Sequence, residues 1–144
     1  MEKLFRLIYT SARTPQCDQL EIEKILNTCQ SNNAKKNITG LLIHTNKRFF
    51  QCLEGNKEDV MELYEHIKKD KRHGGAMMRH SGPIKERAFT EWSMAYKDLD
   101  HVDLLSESEY SNLHKDIEDL MLGRGPLNSD EGMSILRRFL LVNI

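Results

Sequence analysis

The chain has 144 residues, 39% hydrophobic and 30% charged, which is the size and make-up of one soluble globular domain with a real core. Its 21 basic and 22 acidic residues leave a net charge of -1, too little basic excess for broad nucleic-acid binding, and no apolar run approaches the ~18–20 residues that span a bilayer. Three cysteines, Cys17, Cys29 and Cys52, lack C-x-x-C spacing and fit reduced thiols in a cytosol; the short apolar part of "MEKLFRLIYTS" is no signal peptide.

The elements follow in chain order. "KLFRLIYTS" alternates, with Phe5, Leu7 and Tyr9 on one face, and predicts a first strand followed by a loop at Arg13-Thr14-Pro15. Residues 18–33 carry Ile22, Ile25, Leu26 and Cys29 at helical spacing. "ITGLLIHT" is a second strand, Asn46-Lys47 a hairpin turn, and residues 48–54 a third strand. Asn56 after Gly55 caps a second helix with Val60, Met61, Leu63, Tyr64 and Ile67 on its buried face, ended by "DKRHGG". A fourth strand falls within 76–81, and "WSMAYKDL" is a fifth.

The order βαββαββ predicts an α+β, ferredoxin-like fold: a five-stranded mixed sheet with two helices on one face. Three strands are apolar on both faces, so the sheet needs a second cover. Two capping pairs, Ser106 with Glu109 and Asn128 with Glu131, open a C-terminal two-helix extension that can supply it or pack on another subunit. The predicted division is therefore residues 1–100 as one domain and 101–144 as the helical extension.

Within "RFFQCLEG" (48–55), Gln51 shares a face with Phe49 and Leu53. A buried primary amide left unpaired costs about 1–3 kcal/mol, so it must have partners. The stripe of the first helix, continued past Ile25 and Cys29, reaches Asn32 and Asn33, and Tyr9 lies on the apolar face of the first strand. A phenol, asparagine amides and a glutamine amide therefore converge where the first helix meets the sheet. Each alone reads as a group bonded to nearby backbone; together they describe a pocket for a flat ligand with a polar edge. The six histidines show no metal spacing, and G-x-G-x-x-G, Walker A and G-x-S-x-G motifs are absent from the sequence. Glu54 and Glu58 could suggest paired carboxylates, but Glu58 sits where a helix dipole favours it. The sequence thus predicts no metal site and no enzyme.

Five segments, "LIYTS" (7–11), "SNNAKKNITG" (31–40), "RFFQCLEG" (48–55), "IKKDKRH" (67–73) and "FTEWSM" (89–94), together resemble the BLUF family of blue-light sensors that use FAD, in the family's order. The extension resembles the short, stand-alone members without a fused output domain. The resemblance implies that Tyr9 and Gln51 sit beside a non-covalently bound flavin ring, with Ile25 and Ile67 as apolar walls. Asn33 would bond the pyrimidine edge with Asn32 close by, and Arg72 and His73 would lie near the ribityl and phosphate part. Ser11, Trp92 and Met94 match the family's serine, tryptophan and methionine.

The implied mechanism is transfer of an electron and a proton from Tyr9 to excited flavin, then rotation or tautomerisation of the Gln51 amide. Charge recombination then returns the electron and proton to Tyr9 and leaves oxidised flavin in a new hydrogen-bond pattern, with a red-shifted spectrum and a signalling state read by a separate partner protein in trans. Trp92 or Met94 would exchange position near Gln51. The cofactor is FAD, with FMN or riboflavin sharing the gripped ring. A cytoplasmic homo-oligomer is expected, since Phe139 and Leu140 favour self-association. Two other readings stay open: a ferredoxin-like interaction or small-ligand module without photochemistry, and an acylphosphatase-like or flavin-dependent enzyme.

Overall fold

The computed structural model describes residues 3–15, 17–44, 47–88 and 95–98. Among the described residues the elements run in the order β1 (Leu4–Arg13), α1 (Gln19–Lys35), β2 (Thr39–His44), β3 (Arg48–Asn56), α2 (Lys57–Lys69), β4 (His73–Pro83) and β5 (Ala95–Asp98). The chain is α+β. The sheet order is β4-β1-β3-β2-β5. The first four strands pair antiparallel, the arrangement of a ferredoxin-like unit, and β5 lies parallel to β2.

The helix boundaries follow from capping chemistry. Asp18 accepts a hydrogen bond from the Glu21 amide at 2.9 Å and opens α1. At its far end the Asn33 carbonyl accepts from the Ile38 amide at 2.8 Å, and Asn37 turns the chain at φ 55°, a conformation asparagine tolerates. Asn56 Oδ1 accepts from the Glu58 amide at 3.0 Å and caps α2. Glu58 and Asp59 lie in its first turn and His66, Lys68 and Lys69 in its last, each sign at the end where the helix dipole favours it.

Strand bounds differ modestly from the sequence reading. β1 continues through Arg13, whose amide bonds the Lys47 carbonyl at 2.8 Å, so the loop begins one residue later than expected. β4 starts at His73 rather than 76, because Gly74 pairs with Ala12 and His73 with Arg13. Two register shifts against β1, between Ile8 and Tyr9 and between Thr10 and Ala12, absorb the extra length. Gly40 faces Leu53 in β3, and a Cβ there would sit 1.9 Å from the Cys52 carbonyl oxygen; only glycine lets the strands approach so closely.

Phe5, Leu7 and Tyr9 of β1, Leu42 of β2, and Phe49 and Leu53 of β3 form one cluster with Ile22 and Ile25 of α1 and Val60 and Tyr64 of α2. Both helices therefore cover the same face. On the opposite face Ile8, Leu41, Ile43, Phe50 and Cys52 are fully buried too. An ion pair is buried there among them. Arg6 and Glu54, 2% and 0% exposed, stand directly opposite in the β1–β3 register, with Arg6 Nε and Nη2 at 2.8 and 2.7 Å from Glu54 Oε2. The expected helical extension, residues 101–144, and Asn46 of the expected turn lie outside the described residues.

Candidate flavin site between the two helices

Tyr9 on β1 and Gln51 on β3 are partners in the strand register, so the antiparallel ladder alone sets phenol against amide. The Tyr9 hydroxyl donates to Gln51 Oε1. Both side chains are buried, at 0% and 2% exposure. Tyr64 of α2 packs on the other side of Tyr9, with ring centroids 5.5 Å apart and planes tilted by 45°. Ser11, two residues along β1, is buried opposite Phe49.

Above this pair, between α1 and α2, lies a cavity of about 380 Å³. Ile25, Ile38, Leu63 and Ile67 give it apolar walls. Asn32, Asn33 and Gln51 give it a polar edge. Asn33 is 1% exposed, whereas Asn32 next to it is exposed. The volume and the mixture of apolar walls with a few placed amides are those of a small-molecule site.

At the mouth, Arg72 is held by Asp70, with Nε to Oδ1 at 2.9 Å and Nη2 to Oδ2 at 2.5 Å, and its Nη1 lies 3.5 Å from Glu21 of α1. These bonds, Asp70 first, push the guanidinium pKa above its ordinary value, so it is a permanent cation. Asp70 also accepts from the Arg72 amide at 2.9 Å, a turn that ends α2 and aims the arginine across to α1.

Ile25, Asn32, Asn33, Gln51, Ile67 and Arg72 are thus brought to one cavity, while Tyr9 is not in its lining and connects to it through the bond to Gln51. His73 opens β4 beside them in sequence, while Trp92 and Met94 lie outside the described residues. Leu63, read from sequence only as a buried helix position, also lines the cavity, as do Thr28, Lys35, Lys36, Ile38, His66 and Asp70, which the sequence did not single out. Thr28 stands three residues after Ile25 and four before Asn32, so the helical stripe that found those two also passes through it. Lys35 and Lys36 read as an ordinary helix terminus and carry no such signal.

The family described as sensors of blue-light using FAD matches residues 4–95. The beta subunit of photoactivated adenylate cyclase from Euglena gracilis is 38% identical over 92 residues, 63% of this chain but only 11% of that protein. Among solved structures, BlrB, a BLUF protein in its dark state, superposes with a TM-score of 0.66 at 27% identity, over 100% of this chain and 99% of its own. BlsA in its photo-activated state superposes with a TM-score of 0.67 at 29% identity, over 96% and 95% of the two chains.

Proposed function

The chain belongs to the BLUF family and is a flavin-based blue-light photoreceptor, and we propose that its light response is carried by Tyr9 and Gln51. The observation that supports this assignment is the buried hydrogen bond from the Tyr9 hydroxyl to Oε1 of Gln51, a residue that lines the interhelical cavity.

The residues present fit a flavin. Ile25 and Ile67 wall a flat ring; Asn32, Asn33 and Gln51 match a polar edge; Arg72 stands toward the tail, with His73 next to it in sequence. The grip is on the ring that FAD, FMN and riboflavin share, and FAD is the form in the family's description. Excited by blue light, the bound flavin supplies an electron acceptor. Tyr9 is the donor, and its phenolic proton has a way out along the bond to Gln51. The Gln51 amide carries donors at one end and an acceptor at the other, so a half-turn or a tautomeric shift reverses what it presents to both neighbours. In a buried site such a reversal is felt strongly, because each mismatched group has no water to turn to. Ser11, Trp92 and Met94 complete the photochemical group in this reading.

We propose that residues 1–100 make up the sensor domain, with β5 in a mixed five-stranded sheet, and that 101–144 are a helical extension. The cyclase activity belongs by name to the Euglena relatives, whose length this chain spans only to 11%. We read this chain as a cytoplasmic sensor, not an enzyme, that acts on a separate protein in trans and self-associates.

Absorption spectra of the purified protein, dark and just after blue light, test the assignment. A small red shift that decays in darkness is expected, and Gln51→Leu and Tyr9→Phe should lose it while staying yellow. A flavin-loaded protein with no shift would remove the Tyr9–Gln51 mechanism. A protein that takes up no flavin would leave a bare interaction module.

A further inference from the structure

The buried Arg6–Glu54 pair is part of a row that crosses three strands. Arg6 pairs with Glu54 across β1 and β3, and Glu54 pairs with Thr39 across β3 and β2. The segment after β4 is tied down on this row. The Ala88 amide donates to Glu54 at 3.0 Å (Oε1) and 3.2 Å (Oε2). Arg87 Nη1 donates to Thr39 Oγ1 at 2.9 Å and to the Glu54 carbonyl at 3.0 Å. The Ile84 amide bonds the Leu4 carbonyl at 3.1 Å.

Seven residues beyond Ala88 the chain enters β5, which begins in register with Leu41, two residues along β2 from Thr39. Glu54 itself lies three residues from Gln51 on the same strand. A carboxylate taken out of water is tolerated only when its hydrogen-bonding capacity is met, and here a guanidinium and a main-chain amide both use it. Breaking this row would release the one described stretch that leads into β5.

We propose that Glu54 is a positioning residue: with Arg6 it latches Arg87 and Ala88 to β3 and so fixes where β5 enters the sheet. The latch is a fixed pivot, not a moving part. It holds in darkness and in light, and rearrangement at Gln51 is passed to β5 against it. The light-dependent half of this inference rests on the photoreceptor reading; the dark half stands without it.

Hydrogen exchange by mass spectrometry on the full flavin-loaded chain, dark and illuminated, tests the latch. In the wild type, the Ala88 amide should stay protected in both states. Glu54→Gln keeps the volume but strands the Arg6 charge, and should speed Ala88 exchange at least tenfold in the dark. Because that variant could fail to fold, the double replacement Arg6→Met with Glu54→Leu leaves no buried charge and should show the same loss of protection. Both folded variants should keep the flavin spectrum and its initial red shift, while the light-minus-dark difference in exchange at residues 95–98 shrinks. Unchanged Ala88 protection in the folded double variant overturns the latch. Ala88 becoming unprotected on illumination of the wild type overturns its role as a pivot. A wild type without any red shift overturns the photoreceptor reading instead, and the dark comparison at Ala88 then still decides the latch.

Discussion

Tyr9 and Gln51 meet because each is on the inward face of a strand and the two are register partners. Cutting the pair leaves one buried group unsatisfied, at a cost of about 1–3 kcal/mol. Tyr9→Phe and Gln51→Leu should each lower the urea midpoint accordingly. The double variant should lose less than their sum, since the second change removes a group the first had stranded. Asn33 is buried on the cavity edge, and Asn33→Ala should weaken flavin retention in dialysis while the fold survives. Cys17, 2% exposed, is a different case. Burial pushes its thiol above 9.0, outweighing the nearby Arg13 and Arg72, so the folded chain holds that proton more tightly than the unfolded one. Both states are protonated below pH 9.0. As pH rises through it the unfolded chain ionises first, and stability falls. Urea midpoints compared on either side of that pH should show a drop that Cys17→Ala reduces.

The helices are the most legible elements, since Asn56 announces the start of α2 and apolar spacing fixes the buried faces of both; the Asp18 cap of α1 is a finding of the structure. The three inner strands were legible for the same reason, and Gln51 stood out as a polar residue on an apolar face. The start of β4 was not. Gly74 and Gly75 read as a terminator after a helix, and only pairing with Ala12 and Arg13, some sixty residues earlier, makes that stretch a strand. The Arg6–Glu54 row was hidden as well, because a charge in an alternating strand reads as solvent-facing until the opposite strand is known. Gly40 is a further element-scale constraint. Gly40→Ala would drive a methyl group into the Cys52 carbonyl and force β2 from β3, lowering stability by about 1–3 kcal/mol in the same denaturation assay.

At the scale of the molecule, the site and the latch are two rows across one sheet. The first runs Tyr9–Gln51–Leu42–Tyr96 through β1, β3, β2 and β5. The second runs Arg6–Glu54–Thr39. A backbone adjustment at Gln51 therefore reaches β5 through one intervening strand, with no long-range wire needed. The cavity lies between elements that otherwise meet through the sheet, so its occupant should tie α1 to α2. Flavin at a hundredfold excess over its Kd should stabilise the chain by about 2.7 kcal/mol relative to the flavin-free form, read as a rise in Tm.

The inner position of β1, between β4 and β3, also bears on how the chain is made. It is the first strand to leave the ribosome, yet both its neighbours, β3 and β4, come much later: Leu4 pairs with Asn56, and Phe5 with Pro83. At about 5–20 residues per second, β1 spends several seconds of synthesis with two apolar faces and two open edges. The nascent domain thus carries an unpaired apolar strand for most of its synthesis, and closes around it only when β4 arrives.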